Sequence, residues 1–192
     1  MNIVHLDSSI TGDNSASRAL SAAIVRELTD ADPAATVAYR DLVAQPLEHL
    51  TLPGFGSSES QEVLAQFKAA DVVVIGAPMY NFTIPTQLKA WIDRVLIAGE
   101  TFRYTEKGAE GLAGDKTVIV GLARGGLYGE GTAQRSIEHA ERYLADALAF
   151  IGITEPQFVI AEGLALGDEA RADALAAAHE AVRRIGAACP VG

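Results

Sequence analysis

A chain of 192 residues with 25 acidic and 15 basic side chains, formal charge −10, can bury one sizeable core and has no general affinity for nucleic acid or anionic membranes. Apolar residues make up 49% and charged residues 21%, a globular balance that excludes a largely disordered chain. The single cysteine, Cys189, excludes an internal disulfide framework and a thiolate metal cluster within one chain.

Along the chain, short apolar runs alternate with helical patterns. The first expected strand is "NIVHL" (2–6), followed by a hydroxyl-rich loop, "DSSITGDNSASR" (7–18). Leu20, Ile24 and Leu28 then share one helical stripe. "TVAYR" (36–40) is the second strand; residues 41–59 have no sustained period and read as a surface loop, and a short helix is expected over 60–70. The third strand, "DVVVIG" (71–76), leads through "APMYNFTIP" into a helix whose stripe is Leu88, Ile92, Val95 and Leu96. Residues 99–115, "GETFRYTEKGAEGLAGD", are too many for an ordinary connection and carry Phe102 and Tyr104. "KTVIVGL" (116–122) is the fourth strand, with Lys116 read as a solvated entry residue, and "ARGGLYGEG" follows it. A helix over 132–150, a fifth strand "QFVIA" (157–161) and an Ala-rich helix over 167–188 complete the chain.

This alternation predicts one domain over 1–192, an α/β protein whose parallel sheet is covered on both faces. "MNIVHLDSS" does not read as a signal peptide, and no apolar run approaches the roughly 20 residues of a membrane span, so a cytoplasmic setting without membrane partners is expected.

Ligands of open parallel sheets bind beyond the carboxyl ends of the strands. After strand 1, Ser9, Ser15 and Ser17 can join the free N–H groups of a helix start to hold a phosphate, although Asn14 or Ser15 acting only as a helix cap is the competing reading. Neither the triphosphate loop nor the dinucleotide fingerprint is present, which disfavours a triphosphatase. After strand 3, backbone donors, Met79 and the aromatic faces of Tyr80 and Phe82 suit a flat, partly polar ring. Gly125 and Gly126 after strand 4 permit close backbone approach, and Arg124 can supply positive charge. The combination is the pattern expected for flavin mononucleotide (FMN).

These residues, in the order "SS" with "SAS", "APMYNF", "TQLK", "TFRYTE", "EGL", "RGG" and "FIGIT" followed by "AEG", closely resemble the FMN-dependent NADH:quinone oxidoreductases and azoreductases almost end to end. The resemblance implies a flavodoxin-like three-layer sandwich with a five-stranded parallel sheet of order 2-1-3-4-5. It implies one FMN per subunit, its phosphate at Ser9, Ser15, Ala16 and Ser17 and its flavin at Pro78, Met79, Tyr80, Asn81 and Phe82. Ala123, Arg124, Gly125 and Gly126 would flank the other side, Ala123 standing where relatives often have Ser. A homodimer with active sites at the interface is implied too, Phe82, Phe102, Tyr104 and Phe150 lining the substrate cavity and Phe150 coming from the partner chain.

The implied activity moves two electrons from NAD(P)H, with NADH as reducing co-substrate, through FMN to quinones and aromatic azo compounds by a ping-pong mechanism. The flavin carries that chemistry: no catalytic side chain or metal is expected, and none of His5, His49, His139 and His179 lies in a matching motif. Relatives can carry His where this chain has Tyr128. The alternative is a flavodoxin-type electron carrier that does not itself oxidise NAD(P)H. A receiver-like signalling domain is disfavoured, because "GAPMY" stands where a phosphoacceptor Asp would be needed.

Overall fold

Strands buried on both faces need apolar side chains at every position, and β3 (Val72–Pro78) is buried throughout its length. Its neighbours β1 (Asn2–Asp7) and β6 (Thr117–Ala123) are almost as enclosed. With β2 (Thr36–Asp41) and β7 (Gln157–Ala161) they form a parallel five-stranded sheet of order β2-β1-β3-β6-β7. The structure, a computed structural model, describes residues 1–188, with side chains to residue 185; Cys189 lies outside the described residues.

Alternate residues of each strand serve opposite layers. Val73, Ile75, Val120 and Leu122 pack under α2 (Ser58–Ala69), α3 (Thr86–Val95) and α4 (Ala140–Phe150). Val72, Val74, Ile119 and Val159 pack under α1 (Ala16–Ala31) and α5 (Asp168–Ala188). The α1 stripe behaves as the sequence predicts: Leu20, Ile24 and Leu28 are fully buried, each contributing on the order of 1.5–3 kcal/mol. Among the described residues no helix is long and apolar enough to cross a membrane.

The five expected strands are those of the sheet. Within residues 99–115 lies an antiparallel hairpin, β4 (Phe102–Thr105) and β5 (Gly108–Gly111), which shifts the numbering of the last two sheet strands to 6 and 7. The helix expected over 132–150 begins only at Ala140. Glu138, fully buried, accepts the N–H groups of Ala140, Glu141 and Arg142 and thereby fixes the start; a 3₁₀ turn precedes it at Arg135–Ile137. Lys116 is not solvated either: only 6% of its side chain is exposed, and Nζ donates to the Lys68 and Ala70 carbonyls at the end of α2, 5.6 Å from the Phe67 ring centre.

Two glycines set the height of α1 above the sheet. Gly76 and Gly121 are register partners on β3 and β6. A Cβ on Gly76 would lie 2.3 Å from Asp7 Oδ1 and 3.1 Å from the Ser17 carbonyl, and one on Gly121 would lie 3.0 Å from Leu20 Cβ. The first turn of α1 therefore rests directly on the backbone of the sheet, beside the carboxyl ends of β1 and β3.

Candidate functional site

The hydroxyl loop leaves β1 as two buried serines, Ser8 and Ser9, and turns through a 3₁₀ segment, Gly12–Asn14, into α1. Ser15 caps the helix by accepting from Arg18 N at 3.3 Å, so the capping reading is correct as far as it goes. Its Oγ also lies 3.1 Å from Ser17 Oγ, while Ser9 Oγ lies 3.0 Å from Thr11 Oγ1 and 3.2 Å from the Tyr80 hydroxyl. Two pairs of hydroxyls thus converge at the start of a helix, where N–H groups and a partial positive charge favour an anion.

Tyr80 ties this loop to the next one, since its hydroxyl also accepts from Ile10 N at 3.1 Å. From Tyr80 the chain makes a tight turn closed by Tyr80 N donating to Thr83 O and Thr83 N donating to Tyr80 O. The central residues, Asn81 and Phe82, have φ of +47° and +73°. Asn tolerates the left-handed region; a bulky Phe is an outlier there, and such backbone strain concentrates where a loop serves a ligand. The Phe82 carbonyl accepts from His139 N at 2.8 Å, which fastens the turn to the entry of α4.

The third wall is a short backbone zipper. Gly163, Leu164 and Ala165 donate to the carbonyls of Gly126, Arg124 and Gly125, and Met79 N donates to Ala123 O. Gly126 is also a matter of space, because a Cβ there would lie 3.1 Å from Tyr128, whose ring stands edge-on to Phe82 at 6.4 Å. The zipper uses carbonyls and leaves amides: among the described residues, the N–H groups of Asn81, Phe82, Gly125 and Gly126 donate to no internal acceptor.

A cavity of about 370 Å³ joins these walls, lined by Ser9, Ser15, Ala16, Ser17, Pro78, Met79, Tyr80, Ala123, Arg124 and Gly125 from the expected set. Asn81, Phe82 and Gly126 adjoin it in the chain without lining it. Sequence reasoning missed Thr11, Asn14, Leu164, Ala165 and Arg171 on its walls. The last three were legible from topology, since the loop after β7 and the start of α5 must return to this edge.

Arg124 departs from its expected role of supplying charge to the cavity. It is 1% exposed, and its guanidinium is surrounded by Glu141 at 2.5 Å, Glu138 at 3.3 Å and Glu162 at 3.4 Å. Glu162 in turn accepts from Tyr128 N at 3.0 Å. Arg124 therefore fastens the β6 and β7 loops to the head of α4, and removing such a buried partner costs about 3–5 kcal/mol.

Of the aromatic residues expected in the substrate cavity, Phe82 adjoins it, whereas Phe102, Tyr104 and Phe150 stand elsewhere. Phe102 contacts both Tyr104 and Phe150, with ring centres 5.5 and 4.7 Å apart. Helix α4 starts beside Phe82 and runs back over the sheet for 11 residues, roughly 16 Å, before reaching Phe150. There Ala113 N bonds Ile151 O, close to where β3 and β6 begin. Tyr104 and Phe150 thus belong to one cluster on the amino edge of the sheet, where Tyr104 is 75% exposed.

A charged network that the sequence did not reveal supports the hydroxyl loop from the β2 side. Arg18 forms a two-pronged pair with Asp41, at 2.7 and 2.8 Å, and donates twice to the Ser9 carbonyl. Hydrogen bonds from Arg18, with those of Val43 and Ala44 N–H, hold the Asp41 carboxyl at about 2 against desolvation. Asp7, 3% exposed, accepts from Ser21 and Tyr39; burial and this carboxylate push the Tyr39 hydroxyl up to about 12. His5 is buried 3.7 Å from Asp7, and desolvation lowers its pKa despite that neighbour, with Arg18 acting in the same direction.

Known proteins show the same arrangement of sequence and fold. A family model described as a flavodoxin-like fold matches residues 1–185. An FMN-dependent NADH:quinone oxidoreductase of Xanthomonas campestris pv. campestris is 54% identical over 196 residues, covering 93% of this chain and 96% of its own. Among solved structures, azoreductase AzrA is 30% identical with a TM-score of 0.88, over 97% of this chain and 99% of that one. An FMN-dependent NADH-azoreductase of Bacillus anthracis str. Ames Ancestor, solved in complex with FMN, is 26% identical with a TM-score of 0.85, over 97% of each chain. The chain belongs to the flavodoxin-like fold family, among the relatives of the FMN-dependent NADH:quinone oxidoreductases.

Proposed function

We propose that this protein is an FMN-dependent oxidoreductase that passes two electrons from NAD(P)H to quinones and aromatic azo compounds. The observation that carries the activity is the 54% identity to an enzyme of that name across nearly the whole chain. The cavity fits the cofactor on its own chemistry: hydroxyls gathered at a helix start suit a phosphate, and a strip of Pro78, Met79 and Ala123 suits a flat ring. Four amides without internal acceptors, at Asn81, Phe82, Gly125 and Gly126, suit the polar edge of that ring.

In this reading Ser9, Ser15, Ala16 and Ser17 hold the phosphate, Pro78 to Phe82 hold one edge of the flavin, and the loop Ala123 to Gly126 holds the other. FMN when bound supplies the redox chemistry, taking two electrons from NADH and giving them to the acceptor. The protein orients the ring and shields it: the strained turn and the carbonyl zipper are rigid supports that need not reorganise during turnover. No side chain is assigned a nucleophilic or acid–base role.

The proposal includes a single domain over residues 1–192, a cytoplasmic setting, for which the single cysteine speaks, and a homodimer. What speaks for the dimer is that Phe102, Tyr104 and Phe150 cluster away from the cavity of their own chain, so a substrate wall built from them would have to serve a second copy. NADH should bleach the yellow protein and a benzoquinone restore its colour with steady turnover. A protein that stayed yellow with NADH alone would be an electron carrier, and a colourless one that took up no FMN would remove the reading altogether.

A further inference from the structure

A phosphate monoester carries close to two negative charges at neutral pH, and hydroxyls alone do not neutralise them. In a chain of formal charge −10 that deficit matters. Three arginines lie near the hydroxyl loop, and two of them are committed. Arg124 is surrounded by Glu138, Glu141 and Glu162, and Arg18 by Asp41 and the Ser9 carbonyl.

Arg171 is different. It stands in the first turn of α5 and lines the same cavity as Ser9, Ser15 and Ser17. Among the described residues its guanidinium makes one polar contact, and a long one, Nη2 donating to the Asn14 carbonyl at 3.5 Å. Asp168 and Glu169 share its helical turn, yet among the described residues Arg171 forms no ion pair. The placement follows from the fold: α1 and α5 pack side by side and both start at the carboxyl edge, so an early α5 residue faces the loop that opens α1.

We propose that Arg171 is the cationic ligand of the cofactor phosphate, beside the serines that the sequence suggests for it. This rests on the FMN reading and adds a residue to it. Arg171 then confers a preference for FMN over riboflavin, which has the same ring without the phosphate.

Equilibrium titration by quenching of flavin fluorescence tests this with apoprotein, FMN and riboflavin. Arg171→Ala should weaken FMN binding about ten-fold, leave riboflavin binding unchanged and flatten the salt dependence of FMN affinity. Arg171→Lys, which keeps the charge, should retain more FMN affinity than the alanine variant. Unchanged FMN affinity in Arg171→Ala overturns the assignment, and so does an equal loss for both flavins, which marks a structural role. If the wild-type chain binds neither flavin, the FMN reading fails and this one with it; if it binds FMN and the alanine variant matches it, only this one fails.

Discussion

A phenylalanine at φ +73° sits where its Cβ crowds the following carbonyl, at a cost of about 1–2 kcal/mol. The strain persists because neighbours over-determine the turn: Tyr80 and Thr83 close it, and His139 N holds the Phe82 carbonyl. Phe82→Gly should relieve it, less about 0.5–1 kcal/mol for the added freedom of the unfolded chain, and raise the melting temperature by about 2 °C. Phe82→Ala keeps the Cβ and should not gain. If the glycine variant melts no higher than the alanine variant, the left-handed backbone at Phe82 stores no strain, whereas the quinone KM should rise in both. Residues of this kind were legible in the sequence because "MYNF" and "SAS" are local, each concentrated in a few positions after a strand. The surroundings of Arg124 were not, since Glu141 and Glu162 lie 17 and 38 residues away and only the fold brings them to the guanidinium.

At the level of elements, the site depends on how close α1 comes to the sheet. Gly76→Ala would drive a methyl group into Asp7 and the Ser17 carbonyl, one of which is backbone and cannot swing aside. It should cost about 1–3 kcal/mol in urea unfolding and, by lifting the first turn of α1, loosen FMN retention as well. Gly121→Ala meets Leu20 Cβ at 3.0 Å and should be milder on both measures. Equal effects from the two would mean that the height of the first turn is not what sets cofactor affinity. The five sheet strands were legible because burial on both faces writes continuous apolar runs. The β4–β5 hairpin escaped notice for the opposite reason: apart from Phe102 its strand residues are exposed or half-buried, so no buried face imposes a period. The start of α4 was misread because a helical pattern continues upstream of Glu138, and only the buried carboxylate reveals the boundary.

For the whole molecule, pH and assembly are the remaining tests. Burial lowers the pKa of His5, so as pH falls the unfolded chain takes up a proton near the ordinary value of 6.5 before the folded chain does. Stability attached to neutral His5 is therefore present above about pH 6.5 and is lost as the pH drops through the lower folded value. Asp41 acts in the same direction further down, between 3.8 and about 2. His5→Gln should flatten the fall in urea midpoint between about pH 7 and pH 5; an unchanged slope would exclude His5 as its source. Assembly has a sharper test, because the cavity and the Phe102–Tyr104–Phe150 cluster occupy opposite edges of one sheet. If the cluster completes the cavity of a second copy, a chain deficient in FMN binding, Ser17→Asp, and a chain lacking the aromatic wall, Phe150→Ala, should each be poor quinone reductases alone. Co-expressed, they should form mixed dimers in which one of the two sites combines an intact cavity with an intact Phe150. Random pairing would restore about a quarter of all sites. If Phe150 acts within its own chain, or no dimer forms, mixing restores nothing, and activity is the average of the two poor enzymes.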